Sequence, residues 1–519
     1  MRNIVYITLI FLFFGCNGFL DDYSQDLVVP KTVSDLSEVI LGSGYLPSKE
    51  VDELSSGSMG WFLHILDDDV NTVMSYYARW YQQMKPAYYG YFTWQLEVGR
   101  NYTGTSLRGD NALWEGMYQR INAMNILLHE LENISQSSGQ DKLEALRLEG
   151  ECRFLRAQFY LVLVNVYANA YNPDDASTTL GVPLKLTYYV EHDKEKESQF
   201  ERTPVAKVYE QIVADLKASV ACFQQSPQTK LLYRASEGAA MLLLSRVYLY
   251  MQDWENAKLV ANDFLEKKSE LYDYTTIRDS TSVIISEDSP EVLFSQGSLS
   301  IQSNFSGYGG DFCVTRDLYQ LYDTTDRRRD LYFTPSSSDS LGLSRKYKMW
   351  KHRSYVSDFY MLRTAEGYLN MAEACAMLDD ASGASDYLNR LRKYRINGYR
   401  DTTYSVNDII EVVRNERRKE LCFEGHRWFD LRRYAVCKKQ PFKKAIEHLF
   451  AVYDEDNKNL LIYGEMYQLQ EDDLAYTFAI PKAVLEFDRG MPDNLREKRT
   501  YTHLVYRNDD SDEDEEKQE

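Results

Sequence analysis

No Cys-x-x-Cys pair occurs among the seven cysteines of this 519-residue chain, and a chain of that length has no need of a disulfide scaffold. Gly-x-Ser-x-Gly, His-Glu-x-x-His and the phosphate loop are all missing, so no common hydrolytic or nucleotide-binding motif speaks for an enzyme. Positive charge is in deficit. The 59 Lys and Arg stand against 79 Asp and Glu, a net charge of −20, which argues against nucleic acid because its phosphates would be repelled. The apolar run at residues 4–14, broken only by Thr8, falls far short of the roughly 20 residues that a membrane-spanning helix needs.

That run follows Arg2 and stops at Gly15-Cys16, with Asp21 and Asp22 close behind. A charged start, a short apolar region and a small residue before the cut make a secretory signal. The cysteine at the boundary resembles a bacterial lipobox, in which the thiol is acylated and becomes the new N-terminus, although Phe13 stands where the pattern prefers Leu or Val. We expect a signal peptide over residues 1–15, acylation at Cys16 and a loose leader over 16–31. Acyl chains at ~0.8 kcal/mol per buried CH₂ would hold the exported chain firmly to a bilayer. At the other end, "NDDSDEDEEKQE" reads as a solvated acidic tail over 507–519. It lacks the spaced glycine of a calcium loop, and no metal or other cofactor is expected.

Between these ends the sequence is 44% hydrophobic and holds 41 tyrosines, residues that suit surfaces both greasy and wet. Thr32 is placed to cap a first short helix in "TVSDLSEVILG". In "NALWEGMYQRINAMNILLHEL" the residues Trp114, Met117, Ile121, Met124, Leu128 and Leu131 alternate three and four apart, one stripe of an amphipathic helix. "LEALRLEGECRFLRAQFYLVLVNVYANAY" is apolar nearly all round, interrupted by Arg153, Arg156, Gln158 and Asn165, and reads as a central buried helix. "RTPVAKVYEQIVADLKASVACF" offers Thr203 as N-cap and Pro204 at the first helical position.

Two helical pairs follow, in "SEGAAMLLLSRVYLYMQDWENAKLVANDFLE" and "AEGYLNMAEACAMLDDASGASDYLNRLRKYR". From Ser245, the residues Tyr248, Ala257, Ala261 and Phe264 lie at +3, +12, +16 and +19, and from Ala372 so do Cys375, Ala384, Leu388 and Leu391. This is tetratricopeptide spacing, with small residues where two antiparallel helices press together. Residues 272–350 differ, with β-like runs "SVIIS" and "EVLFS" and a Ser/Gly-rich loop. Ser405 and Asp408 look like a capping box for a later helix, and "AYTFAIPKAVLEFDRGMPDN" reads as a short strand followed by a Pro-started turn. The expected fold class is mainly α, a helical-hairpin scaffold with long loop excursions and a few short strands.

Taken in order, "LWEGMYQRINAMNILL", "GECRFLRAQFYLVLVNVY", "GVPL", "RTPVAKVYEQIVADL", "LRTAEGYLNMAEAC", "NERRKELCFEGHRWFDLRRY" and "FAIPKAVLEFDRGMPDN" resemble the SusD/RagB family of Bacteroidota surface lipoproteins over nearly the whole chain. The resemblance implies a tetratricopeptide-like scaffold in one SusD-like domain over 32–506, with an N-terminal helical part to about 270 and a C-terminal part from about 271. It also implies a lipid-anchored, surface-exposed outer-membrane protein. Such a protein captures glycans, or oligopeptides in some members, and passes them to a SusC-like TonB-dependent transporter. "MPDN" departs from the family's usual Gln-Asn.

Several groups of side chains could in principle carry chemistry. "NERRKELCFEGHRWFDLRRY" and "DTTDRRRDLY" interleave acids and arginines and read as internal ion-pair networks rather than polyanion sites. Cys422 and His426, one helical turn apart, read as a buried thiol beside a polar histidine. A surface glycosidase would need two carboxylates about 5–10 Å apart; Asp67, Asp68 and Asp69 are adjacent, and such acids are expected to point apart and solvate. A tetratricopeptide adaptor is the third class that the helical pairs permit. The aromatic tract at 76–94 is the densest. Tyr76, Tyr77, Trp80 and Tyr81, spaced as on a helix, read as core. In "PAYYGYFTW", where Pro86 and Gly90 are expected to break any helix, at least one ring is expected to be exposed, the candidates being Tyr88, Tyr89 and Trp94. The family's second ligand loop is implied at 302–312, with Asn304, Phe305, Tyr308 and Asp311.

Overall fold

The structure, a computed structural model, describes residues 30–46, 59–72, 84, 86–107, 110–134, 138–189, 199–229, 232–279, 282–297, 312–333, 344–345, 356–357, 359–454 and 460–506. Helix α1 (Val33–Val39) starts from Thr32, whose hydroxyl accepts from the Asp35 amide while the Asp35 carboxylate accepts from the Thr32 amide. This reciprocal capping box answers two orphan donors of the first turn. Helices α2 (Pro86–Phe92), α3 (Ala112–Asn133), α4 (Gly139–Tyr167), α5 (Val205–Gln225), α6 (Glu237–Met251) and α7 (Trp254–Lys267) follow. Two short helices, α8 (Arg316–Gln320) and α9 (Arg328–Tyr332), precede α10 (Thr364–Met377), α11 (Ala381–Lys393), α12 (Ile409–Glu420), α13 (Arg427–Ala435) and α14 (Lys482–Phe487).

The frame is a succession of paired helices: α3 packs on α4, α4 on α5, α5 on α6, α6 on α7, α7 on α10, and α10 on α11 and α12. Helix α4 is buried over most of its length, as its apolar circumference predicts. All ten residues at the repeated tetratricopeptide offsets are buried, from Ser245 to Phe264 in the first pair and from Ala372 to Leu391 in the second. The spacing therefore marks the faces on which the hairpins close. One continuous hydrophobic core runs from Val33 to Met491.

Among the described residues, three small sheets interrupt the helices. Strands β1 (Val70–Thr72), β3 (Phe312–Thr315) and β4 (Ser344–Arg345) form one; β2 (Val292–Ser295) and β5 (Met361–Arg363) form another. The third is a long hairpin of β6 (Ile446–Tyr453) and β7 (Leu461–Leu469), extended by β8 (His503–Val505). "EVLFS" is the β2 strand, whereas "SVIIS" supplies two buried plugs, Ile284 and Ile285, and no strand.

Some local expectations are corrected. Helix α5 begins at Val205 with Pro204 as its cap. The backbone of Thr203 is taken up in an extended pairing with Gly181 and Val182, at 2.9 and 3.2 Å, so Thr203 cannot cap. The Ser405 hydroxyl donates to the Asp408 carboxylate at 2.6 Å and accepts from the Asp408 amide at 3.3 Å, a local loop lock just outside α12. No strand forms around Phe478; its amide donates to the Val166 carbonyl at 3.0 Å, and Pro481 then caps α14. Asn494 of "MPDN" donates to the carbonyls of Tyr167 and Phe478, each at 2.7 Å, stitching the chain's last part to the end of α4.

The charged stretch of α12 and α13 is an ion-pair network. Glu420 accepts from Arg328, Arg363 and Arg395 at 2.8, 2.6 and 2.9 Å. Glu416 accepts from Arg328 and Arg392 at 2.6 and 2.7 Å, and Glu424 from Arg363 at 2.9 Å. These guanidiniums hold the Glu416 and Glu420 carboxyls well below the ordinary range against the opposing effect of burial. Arg432 instead donates to the carbonyls of Asn165 and Ala168 and to the Thr477 hydroxyl. Among the described residues no helix is long and apolar enough to cross a membrane.

Candidate functional site

Segment 86–94 forms the helix α2 and its C-terminal cap. Proline fits the first turn of a helix because its missing N–H has no partner there. Gly90 is required by close approach: a Cβ at this position would lie 2.2 Å from the Val98 carbonyl oxygen. The Gln95 amide reaches back to the Gly90 carbonyl at 2.8 Å and the Trp94 amide to Tyr91 at 3.1 Å, which is the Schellman arrangement. Trp94 occupies the left-handed position, with φ +51°, where glycine is usual. Its indole N–H donates to the Leu66 carbonyl at 3.0 Å, and its ring stacks on His448 with centroids 4.3 Å apart.

The expected ring exposure is therefore overturned for two of three candidates. Tyr88 and Trp94 are each only 1% exposed. They are packing residues, Tyr88 against Trp61 and Phe312 and Trp94 over His448. Tyr89 alone is half-buried, and it leads to a site that the sequence reading did not find. Its hydroxyl meets that of Tyr467 at 3.0 Å. Tyr467 donates to Glu465 Oε2 at 2.9 Å, and Tyr102 donates to Glu465 Oε1 at 3.1 Å. With the Tyr467 proton committed to Glu465, the Tyr89 hydroxyl is the donor to Tyr467.

The hairpin explains this convergence. Successive side chains of a strand alternate between faces, so Tyr463, Glu465 and Tyr467 of β7 share a face with Phe450 and His448 of β6, which stand opposite Glu465 and Tyr467. The ring of Phe450 lies 5.0 Å from that of Tyr89 and 5.1 Å from that of Tyr102. Tyr463 neighbours Tyr102 and Tyr506, the latter with centroids 6.2 Å apart. Tyr102 is 39% and Tyr506 51% exposed, forming the outer rim. Burial first, and then the charge of Glu465, raise the Tyr102 phenol above its ordinary value; burial leads the same shift at Tyr89 and Tyr467. The three hydroxyls stay protonated and act as donors. The period-two pattern of "LIYGEMYQL" was the available signal for Tyr463, Glu465 and Tyr467.

Asp67, Asp68 and Asp69 do not point apart into solvent. They are buried, and one oxygen of each lies within 4.8 Å of the others. Asp68 is held by Arg427 at 2.7 and 2.8 Å and by Lys444 at 2.6 Å, and Asp69 by Arg418 at 2.6 Å. Three cations thus hold Asp68 and Asp69, while Asp67 accepts the Asp69 amide at 3.0 Å, and the cluster ties the β1 entry to α12 and α13. Beside it, His448 lies between Phe92 and Trp94, its ring nitrogens 2.7 Å from the Phe92 carbonyl and 2.9 Å from that of Asp67. Burial pushes this imidazole down to about 4, with the two carbonyls opposing. Cys422 and His426 are both buried. His426 faces Arg417 at 3.2 Å through Nδ1, while Cys422 lies 3.5 Å from the Tyr322 hydroxyl.

Cys16, the signal segment and the acidic tail lie outside the described residues, as do Tyr76, Tyr77, Trp80 and Tyr81 and the loop candidates Asn304, Phe305, Tyr308 and Asp311.

The scaffold of helical hairpins carries an aromatic, carboxylate-centred cluster on one face of the β6–β7 hairpin, and comparison identifies the fold. The family model described as "SusD family" matches residues 343–496, and one described as "Starch-binding associating with outer membrane" matches residues 51–249. A SusD-like protein of Bacteroides ovatus is 22% identical over 378 residues, 61% of this chain and 64% of that relative. The matched region thus spans less than two thirds of that relative's length. SusD-like protein P2 of Formosa agariphila is 22% identical over 382 residues, 62% of this chain and 71% of that one. Among solved structures, a SusD superfamily protein of Bacteroides thetaiotaomicron is similar with a TM-score of 0.67 at 20% identity, covering 90% of this chain and 100% of that one. A SusD-like carbohydrate binding protein of Bacteroides vulgatus gives 0.67 at 18% identity, covering 91% and 100%. The chain belongs to the SusD/RagB family.

Proposed function

We propose that this chain is a non-catalytic, lipid-anchored binding protein exposed at the outer-membrane surface, which captures oligosaccharides and hands them to a SusC-like TonB-dependent transporter. The observation that carries the reading is the exposed rim of Tyr102 and Tyr506 around the Glu465 cluster. A sugar ring offers an apolar face and a hydroxyl rim, and here rings and hydrogen-bonding groups stand side by side. The outer-membrane association in one matching family description and the carbohydrate binding in a structural relative's name support it. The lipobox-like Cys16 supports the anchor, and the continuous main core from Val33 to Met491 supports one domain over 32–506.

Isothermal titration against a panel of glycans tests the reading. Saturable heat is expected from at least one oligosaccharide and is lost in Tyr102→Ala with the circular dichroism unchanged. Heat from oligopeptides alone would replace glycan by peptide, and steady turnover of a glycan by the purified protein would refute the non-catalytic role. Co-purification of a large barrel from detergent-solubilised outer membrane tests the transporter.

A further inference from the structure

Among the described residues, buried carboxylates are, with few exceptions, met by a cation. Glu151 pairs with Arg234, Asp215 with Arg156, Glu366 with Arg246 and Glu373 with Arg433. Asp488 is met instead by the backbone N–H groups of Gln199 and Phe200, each at 2.9 Å. Glu465 has neither. It is 4% exposed, no ion pair to it exists among the described residues, and its two oxygens accept only the neutral hydroxyls of Tyr102 and Tyr467. Taking a carboxylate out of water without a counter-charge is costly.

The surroundings are suited to one kind of counter-charge. Around Glu465 stand the rings of Tyr89, Tyr102, Phe450, Tyr463 and Tyr467, with Tyr506 beyond. Aromatic faces attract ammonium groups, and a ring-lined carboxylate is the chemistry that recognises them. A hard metal ion would want six or more oxygen ligands, whereas each oxygen here already accepts one phenol proton and keeps one lone-pair direction, enough for an N–H donor. The net charge of −20 draws cationic ligands toward the surface.

We infer that Glu465 anchors a protonated amine, and that the glycan bound at this site is one carrying free amino sugars. This rests on the glycan-binding reading above. The amine enters past Tyr102 and Tyr506 and donates a charge-assisted hydrogen bond to the carboxylate while the adjoining rings cover the pyranose face.

The test titrates the full-length protein at about pH 6 with a glucosamine oligomer and with the same oligomer fully N-acetylated. The amine form is expected to bind about 10- to 100-fold more tightly, the range of one hydrogen bond to a charged group. Glu465→Gln, which keeps shape and acceptor but not charge, is expected to abolish that preference while retaining weak binding of both. Should the variant unfold, high salt serves instead: the preference of the unaltered protein is expected to shrink with ionic strength. Equal or tighter binding of the acetylated oligomer overturns the inference, as does a preference that survives Glu465→Gln. Binding of a neutral glycan but of neither oligomer overturns it and leaves the glycan reading standing, whereas silence toward every glycan removes that reading too. A lysine peptide that binds when no amino sugar does also overturns it.

Discussion

Replacing Glu420 by glutamine tests the network that closes the helical frame. The side chain is fully buried and holds Arg328, Arg363 and Arg395 at 2.6–3.1 Å. Around it Glu291, Asp326, Glu416 and Glu424 share the same guanidiniums. Neutralising Glu420 therefore weakens the pairing of three buried cations at once without emptying any volume. Breaking a buried pair from one side costs about 3–5 kcal/mol, and each hydrogen bond to a charged group about 1.5–3 kcal/mol; the surviving acids absorb part of the loss, so about 3–5 kcal/mol is expected. A control is Arg390→Ala, which removes a pair whose side chains are both 54% exposed and is expected to cost about 0.5 kcal/mol. Urea unfolding at neutral pH, followed by both circular dichroism and tryptophan fluorescence, measures the difference. If Glu420→Gln loses no more stability than Arg390→Ala, the network is not what locks α12 to α9, β5 and α11.

Acid should weaken the fold in two stages. His426 is held neutral, its pKa well below 6.5 through burial and the charges of Arg246, Arg417, Arg363 and Arg433, so the unfolded chain gains a proton that the folded chain refuses as pH falls below about 6.5. The Glu416 and Glu420 carboxyls lie well below 4.5, so their stabilisation is present above about 4.5 and is lost as pH falls through their folded values. Buried His448, pushed down to about 4, acts in the same direction as His426. A melting curve against pH is therefore expected to slope down from about 6.5 and steepen below about 4.5, with His426→Gln flattening part of the upper slope. Trp94→Ala should cost about 3–5 kcal/mol, read by denaturant titration, because the ring fills the core over His448 despite its left-handed backbone. Ala384→Leu, at a fully buried contact between α10 and α11, should cost about 1–3 kcal/mol through overpacking. Calcium or a chelator should leave the melting temperature unchanged, since Arg418, Arg427 and Lys444 already balance the Asp67, Asp68 and Asp69 cluster.

The scaffold was legible because helical burial repeats locally. The stripe from Trp114 to Leu131 and the shared offsets from Ser245 and Ala372 name residues that the structure buries, Leu128 only in part. The interleaved acids and arginines likewise read correctly as an ion-pair network from composition, although the main partners of Glu420, namely Arg328, Arg363 and Arg395, come from distant segments. The site was not legible in the same way. Aromatic density drew attention to segment 86–94, but Tyr88, Tyr91, Phe92 and Trp94 are dense there because the core is. The proposed rim is assembled from Tyr89, Tyr102, Phe450, Glu465 and Tyr506, brought together by tertiary packing on the β6–β7 hairpin across more than 400 positions of sequence. Asp67, Asp68 and Asp69 misled for a related reason: their solvation depends on Arg418, Arg427 and Lys444, and only folding brings those cations near.

Hydroxyl-radical footprinting with and without a saturating oligosaccharide puts the capture site to the most direct test. Ligand should protect Tyr102, Tyr463 and Tyr506 while labelling of the exposed Tyr188 and Tyr189 stays unchanged. Unaltered labelling at the first three under saturation, or protection only at the second pair, would contradict it.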